Sequence, residues 1–476
     1  MADPIRLDFG LSSDPGRHGF DAGPMHWNCF IEPVKEGKHP TPLHAMDGLL
    51  LFANTGGNGV FRGMAEMAGE VYNVVGTNVG RVDTNGAYVS VGTLAGTTRV
   101  SMAKNSATTP QLVIVADGAA SYIQSNVLAS VSDGDLPSPI VGCCYLNRRI
   151  LYAIDDGRVF FSAVDNATDI AALDVFTAEG NADDNVGIVT HMQEAWVFGE
   201  KTTEIFRDTG DAAAPFRRNE AGVIPKGCIG RDTIAALDLD LFWVGDDGVV
   251  YMARGYQVDA ISTFAVSKAI LDTTNKSNIE AMTYHYGGHA FYVLSGPDWS
   301  WAYNRTTSTL AGQHIWDPRL SYTLDRWRAS GAIAFDNAVV LGDYNSNVLY
   351  KLSRSTFTEN GNTLVLRART APMHAHPKQM CIDRLHLDFV TGVGLNSSDA
   401  HASNPQVGLR WSDDGGSTWS NQRLKTLGAI GARKTRVVFD GLGVTGRTGR
   451  IWEVEVSSPV IRCLMYSEIE GDLIGT

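Results

Sequence analysis

Ser412, Asp414, Gly416, Thr418 and Trp419 fall within one octapeptide, Ser412-Asp413-Asp414-Gly415-Gly416-Ser417-Thr418-Trp419, at the spacing S-x-D-x-G-x-T-W. A carboxylate and a hydroxyl so placed can accept the backbone N–H groups of a tight turn. The glycine can take a conformation that other residues resist, and the indole can pack beneath the turn. This is the chemistry of a hairpin clasp, and a structural role is expected of these five residues.

Other residues have types that could do chemistry, at spacings that argue against it. His374 and His376 would point two imidazoles to the same strand face, as a metal pair can, but no further ligands follow at zinc-site spacing. The turns Asn181-Ala182-Asp183-Asp184-Asn185 and Asp133-Gly134-Asp135 offer oxygen atoms to calcium without the order of an EF-hand. Turns use Asp and Asn for backbone reasons in any case. Glu194, Glu200 and Glu204 share one predicted hairpin and read as surface charge, while Trp299 and Trp301, two apart beside Pro297, could form an exposed interface anchor.

The clasp resembles the Asp boxes of sialidases and related propellers. A sialidase-like glycosidase would carry such boxes on successive blades, with an arginine cluster and a Tyr/Glu nucleophile pair. Here the box occurs once, and no nucleophile elbow or Walker loop appears. No catalytic, cofactor-binding or metal residues are expected, so the chain is not read as an enzyme. A sialidase-like or carbohydrate-binding β-propeller protein is the alternative reading. A WD-repeat interaction propeller would close each blade with Trp-Asp, a signature missing here.

The elements that would position these residues repeat. Seven hairpin-like stretches start at residues 72, 112, 150, 195, 241, 290 and 338. In each, a β-branched and aromatic run meets a Gly/Asp/Asn turn and a second run, as in LFWVGDDGVVYMA (241 to 253). The spacing is that of propeller blades. An isolated hairpin cannot bury its apolar face, and closing the array into a ring gives every unit two neighbours. The expected fold is all-β: a six- or seven-bladed β-propeller over 48–360, followed by a C-terminal β-sandwich domain over 361–476.

Residues 1–47, rich in Pro, Gly and His, read as an extended N-terminal arm. Ser262 and Thr263 can cap a helix FAVSKAILD, with Phe264, Ile270 and Leu271 on its buried side. Thr356 to Asn362 reads as a hinge. No stretch is long and apolar enough for a membrane helix, and the first residues lack a signal-peptide pattern, so a soluble protein not exported by the general secretory route is expected. Six cysteines without a CxxC pair read as buried free thiols of a reducing cytoplasm.

Charge is unevenly placed. Residues 361–476 hold 13 Lys+Arg against 11 Asp+Glu, whereas the rest holds 26 against 41. A propeller this acidic is ill suited to clamping nucleic acid, although it could surround DNA without gripping it. The basic residues of the last segment, Arg433, Lys434, Arg436, Arg447 and Arg450, could meet an acidic neighbour or simply solubilise the surface.

Whole segments of the chain resemble the packaged-DNA stabilisation proteins of short-tailed bacteriophages (podoviruses), also called tail hub or nozzle proteins. The resemblance rests on GTTRVSMAKN (96 to 105), HMQEAWVFGEKTTEIFRDTG (191 to 210), PFRRNEAGVIPKGCIGRDTIA, LFWVGDDGVVYMARGYQVDAISTFAVSKAI, WSDDGGSTW and the final EVEVSSPVIRCLMYSEIE. It implies a virion tail component, assembled in the host cytoplasm and commonly a hexameric ring beneath the portal and adaptor. Such a ring closes the DNA channel after packaging, lets DNA pass without sequence-specific binding, and anchors a plug, needle, spike or fibre. It implies no cofactor and no catalytic residue.

Overall fold

The computed structural model describes residues 4–474 except 20, 35, 37, 38, 179–182, 212 and 213, and only the backbone at 220 and 221. Six four-stranded antiparallel sheets follow one another over 61–93, 101–130, 140–177, 185–224, 235–260 and 280–318. A seventh is built from Ala329–Phe335, Ala338–Asp343 and Val348–Ser353. Its fourth strand, Gly48–Asn54, comes from far earlier in the chain and pairs antiparallel with Val348–Ser353. The ring is thus closed by joining its two ends within one sheet, which leaves no unpaired long edge at the seam.

The seven hairpins recognised in the sequence are the second and third strands of these seven sheets. Each second strand is covered on both faces by neighbouring sheets, so it is a nearly continuous apolar run. Gln111–Ala116, for example, is buried at every position. Its alternate residues serve different cores: Leu112 and Ile114 pack with the first sheet, Val113 and Val115 with the third. Closure is visible in the same terms, because Phe61, Val71 and Val75 of the first sheet share a cluster with Val340, Leu349 and Ala53 of the seventh.

Two further sheets form the sandwich. One runs Met25–Trp27, Leu366–Arg369, Ile451–Val456, Gln406–Ser412, Arg423–Thr426. The other runs Cys29–Ile31, Leu43–Ala45, Cys463–Ile474, Gln379–Phe389, Val437–Val444, with Ile5–Arg6 added alongside Cys463–Ile474. Their facing side chains make one core that includes Leu385, Leu409, Trp452, Val454 and Ile469.

The extended N-terminal arm is docked within the chain: its short strands pair into both sandwich sheets, which gives the sheet edges next to the propeller their backbone partners. Two local expectations differ from the structure. The hinge is a paired segment. Glu359 pairs in parallel with Leu49, and Thr358–Glu359 pairs with Asn362–Thr363. Gly48 permits this close approach, since a Cβ there would lie 2.4 Å from the Thr358 carbonyl oxygen. The helix Phe264–Asp272 forms where expected, but it buries Ala265, Val266 and Ile270. Phe264 and Leu271 are 48% and 58% exposed. The docked stripe sits between the fifth and sixth sheets, which turns Phe264 outward beneath the Arg17 guanidinium, 4.6 Å from its ring.

Candidate functional site: the clasp, the propeller axis and the joint

The five clasp residues come together in the turn after Gln406–Ser412. Ser412 Oγ donates to Asp414 Oδ1 at 2.7 Å and accepts the Gly416 N–H at 2.9 Å. Asp414 accepts the Thr418 N–H at 2.8 Å and the Thr418 hydroxyl at 2.6 Å, while Trp419 Nε1 donates to the Gly416 carbonyl at 3.0 Å. Gly416 sits at φ +89°, where a side chain would be strained. The bonds from the Thr418 side chain and backbone, then from Ser412, hold the Asp414 carboxyl down at about 2. The side-chain polar atoms of these five residues are thus directed at their own turn, while Asp413 between them is paired with Arg450 at 2.8 Å.

The remaining sequence candidates are dispersed. Among the described residues no three His, Cys, Asp or Glu side chains gather as a metal site. Asn181 and Ala182 of the acidic turn lie outside the described residues. Its Asp183 accepts the N–H groups of Lys201 and Thr202 at 2.7 and 3.0 Å, and Asp133 accepts those of Asp135 and Ile170 at 2.9 and 3.0 Å. Trp301 is buried at 7% exposure, and Trp299 is half-buried with its Nε1 donating to Thr273 Oγ1 at 3.0 Å, so neither is an exposed anchor. Glu204 is buried and paired with Arg218 at 3.2 Å.

Polar groups that the sequence did not single out meet on the propeller axis. Arg99, between the first and second sheets, donates to Glu280 Oε2 at 2.5 Å and to Ser330 Oγ at 2.8 Å, reaching the sixth and seventh sheets. Arg326 Nη2 donates to the other Glu280 oxygen at 2.6 Å. Burial raises the Glu280 carboxyl, but Arg99 and Arg326 outweigh it and hold the group below its ordinary range. Arg231 donates to the Val141 and Arg99 carbonyls at 2.7 and 2.8 Å, tying in the third sheet. The cavity beside this knot measures about 610 Å³. The axis is therefore laced across by side chains, with room for a small molecule and none for a nucleic-acid duplex.

A second polar knot joins propeller to sandwich. Ser13 Oγ donates to Asp317 Oδ1 at 2.8 Å and accepts the His26 N–H at 2.8 Å. Asn28 Nδ2 donates to the carbonyls of Leu320 and Val365 at 2.8 and 3.0 Å, so one side chain touches three parts of the chain.

Two regions match family descriptions in the order that the architecture demands: residues 24–357 match "Bacteriophage P22 Gp10, beta-propeller", and residues 367–457 match "Bacteriophage P22 Gp10, beta-sandwich". The chain belongs to the bacteriophage P22 Gp10 family. It is thereby a structural phage tail component of the tail hub family that stabilises packaged DNA, the family its segments resemble. The Gp10 propeller match ends close to where Thr358–Glu359 seals the seventh sheet, and the sandwich match begins at Arg367.

No curated protein matches the chain. Among solved structures, the computationally designed Ika8 protein is similar at 14% identity over 73% of this chain and 98% of that one, with TM-score 0.39. BamB from Moraxella catarrhalis is similar at 11% over 74% and 97%, with TM-score 0.40. The WD40 β-propeller domain of Doa1 is similar at 12% over 65% and 97%, with TM-score 0.41.

Proposed function

We propose that this Gp10-family chain forms a ring, hexameric by the family resemblance, that sits below the portal and adaptor as the tail nozzle. The ring closes the DNA channel after packaging and anchors a plug, needle, spike or fibre. The observation that carries this reading is the family match over propeller and sandwich in sequence. The laced axis supports it in physical terms: Arg99, Arg231, Glu280 and Arg326 leave no room for a duplex along the propeller axis, and in this reading DNA passes outside it, between copies. An excess of acid on that passage would let DNA slide without sticking.

Assembly of the ring belongs in the host cytoplasm and its final place in the virion tail. Native mass measurement of the purified chain, alone and with its adaptor ring, tests the reading. Multimers that join the adaptor are expected, and a persistent monomer that never joins overturns it.

A further inference from the structure

The sandwich carries a basic edge with exposed apolar side chains. Arg423–Thr426 and Val437–Val444 are the last strands of the two sandwich sheets, at the end opposite the N-terminal strands that abut the propeller. Residues 421–439 contain five Lys+Arg and no Asp or Glu. Lys425, Arg433, Lys434 and Arg436 are exposed, and among the described residues none has a carboxylate partner. Between them Leu424 and Ile430 are 56% and 69% exposed.

The outer part of the third sheet is the complement. The connection 162–174, between its third and fourth strands, holds Asp165, Asp169 and Asp174 and no Lys or Arg. Asp165 is paired with Arg148, whereas Asp169 and Asp174 have no cationic partner among the described residues. Beside them Leu173 is 90% exposed and Val164 47%.

The two surfaces cannot meet within one chain. The sandwich is seated on the sixth sheet, through the Ser13 N–H to the Trp316 carbonyl at 3.0 Å and Asn28 to Pro318 at 3.2 Å. The third sheet lies three sheets away in a ring of seven, on the far side of the propeller. We propose that the basic sandwich edge of one copy docks on the acidic outer edge of the third sheet of the next. This rests on the ring reading above and names its interface. Unlike patches on opposite sides of one molecule make a head-to-tail contact, which generates rings or open filaments instead of two-fold dimers. Complementary charge steers and registers the encounter, and Leu424 and Ile430 against Leu173 and Val164 supply the apolar contact. DNA is the poorer occupant, because a phosphate backbone offers nothing to those apolar side chains and the remainder of the chain is strongly acidic.

The test is the oligomeric state of the full chain, by native mass spectrometry and light scattering over a concentration series. Wild type should assemble, less so as salt rises. R433E/K434E and D169K/D174K should each weaken association at least ~100-fold, since each sets like charges face to face. An equimolar mixture of the two variants should assemble again, because every contact in an alternating ring is then complementary; this also shows that both variants are folded. Variants that assemble as wild type does overturn the interface and leave the ring standing. A wild type monomeric at every concentration and with the adaptor overturns both. Loss of duplex-DNA retention by R433E/K434E with unchanged assembly overturns the interface in favour of DNA as occupant.

Discussion

His26 Nδ1 lies 2.9 Å from Asp317 Oδ1, with both side chains shut away from water at the joint between sandwich and propeller. The other ring nitrogen, Nε2, lies 2.7 Å from the Phe9 carbonyl oxygen. Both neighbours are acceptors, so the ring satisfies them together only when both nitrogens carry protons. Burial lowers the imidazole, but Asp317, the Phe9 carbonyl and Asp8 outweigh it and leave the group raised above 6.5.

Because the folded state holds this proton more tightly than the unfolded chain, the stabilisation is full below about pH 6.5 and is lost as pH climbs through the raised value. Thermal melts from pH 5 to 9 should fall on the alkaline side in wild type, and the slope should flatten in His26→Gln. Asp317→Asn leaves a buried cation without its partner and should cost about 3–5 kcal/mol at pH 6, read by urea unfolding.

Glu359 loses stability in the same direction, towards alkaline pH, but because burial penalises its charge and not because a partner holds its proton. Its Oε1 accepts Trp327 Nε1 at 2.9 Å, its Oε2 has no hydrogen bond within ordinary geometry among the described residues, and burial raises the carboxyl to about 7. The destabilisation therefore starts near the ordinary value of 4.5, grows as pH rises, and is complete above about 7. Glu359→Gln keeps an acceptor for the indole and removes the charge. It should be more stable than wild type by about 3 kcal/mol at pH 8, with the gap closing towards pH 5 in parallel melts.

On the axis, Glu280 neutralises two arginines drawn from the connections between different pairs of sheets. Glu280→Gln should destabilise by about 3–5 kcal/mol, and Arg99→Ala by less, since Arg326 still holds the carboxylate. A double-mutant cycle on Arg99 and Glu280 in chemical denaturation should give clear non-additivity. Additive losses would show that the pair does not couple the two sides of the ring.

At the clasp, Gly416→Ala forces a side chain into positive φ and should cost about 1 kcal/mol or more. Asp414→Ala should speed hydrogen exchange at the Thr418 amide and leave the propeller amides protected. Loss of protection throughout the chain would mean that the turn supports more than its own hairpin.

The repeat was legible because the second and third strands of each sheet are the ones packed between neighbours. Burial on both faces demands continuous apolar runs such as LVIVA, and the turns between them demand Gly, Asp or Asn. First and outer strands obey weaker rules. Tyr88–Thr93 and Gln257–Ala260 are largely exposed, and their residues carry little pattern. The clasp was legible for a related reason: all five of its residues bond within eight positions, so local chemistry suffices.

The residues that hold the parts together carry no such local mark. Arg99 and Glu280 stand 181 positions apart, and His26 and Asp317 stand 291 apart. Nothing near Glu359 or Gly48 announces that a segment read as a hinge would lie against a strand from the start of the chain. By itself the sequence determined the repeating unit, the turn chemistry and the imbalance of charge, all set by interactions between near neighbours and by composition. Only the tertiary structure decided which arginine meets which acid, how the ring is sealed and where the basic and acidic edges stand, because those contacts exist only after closure brings distant segments within hydrogen-bonding distance.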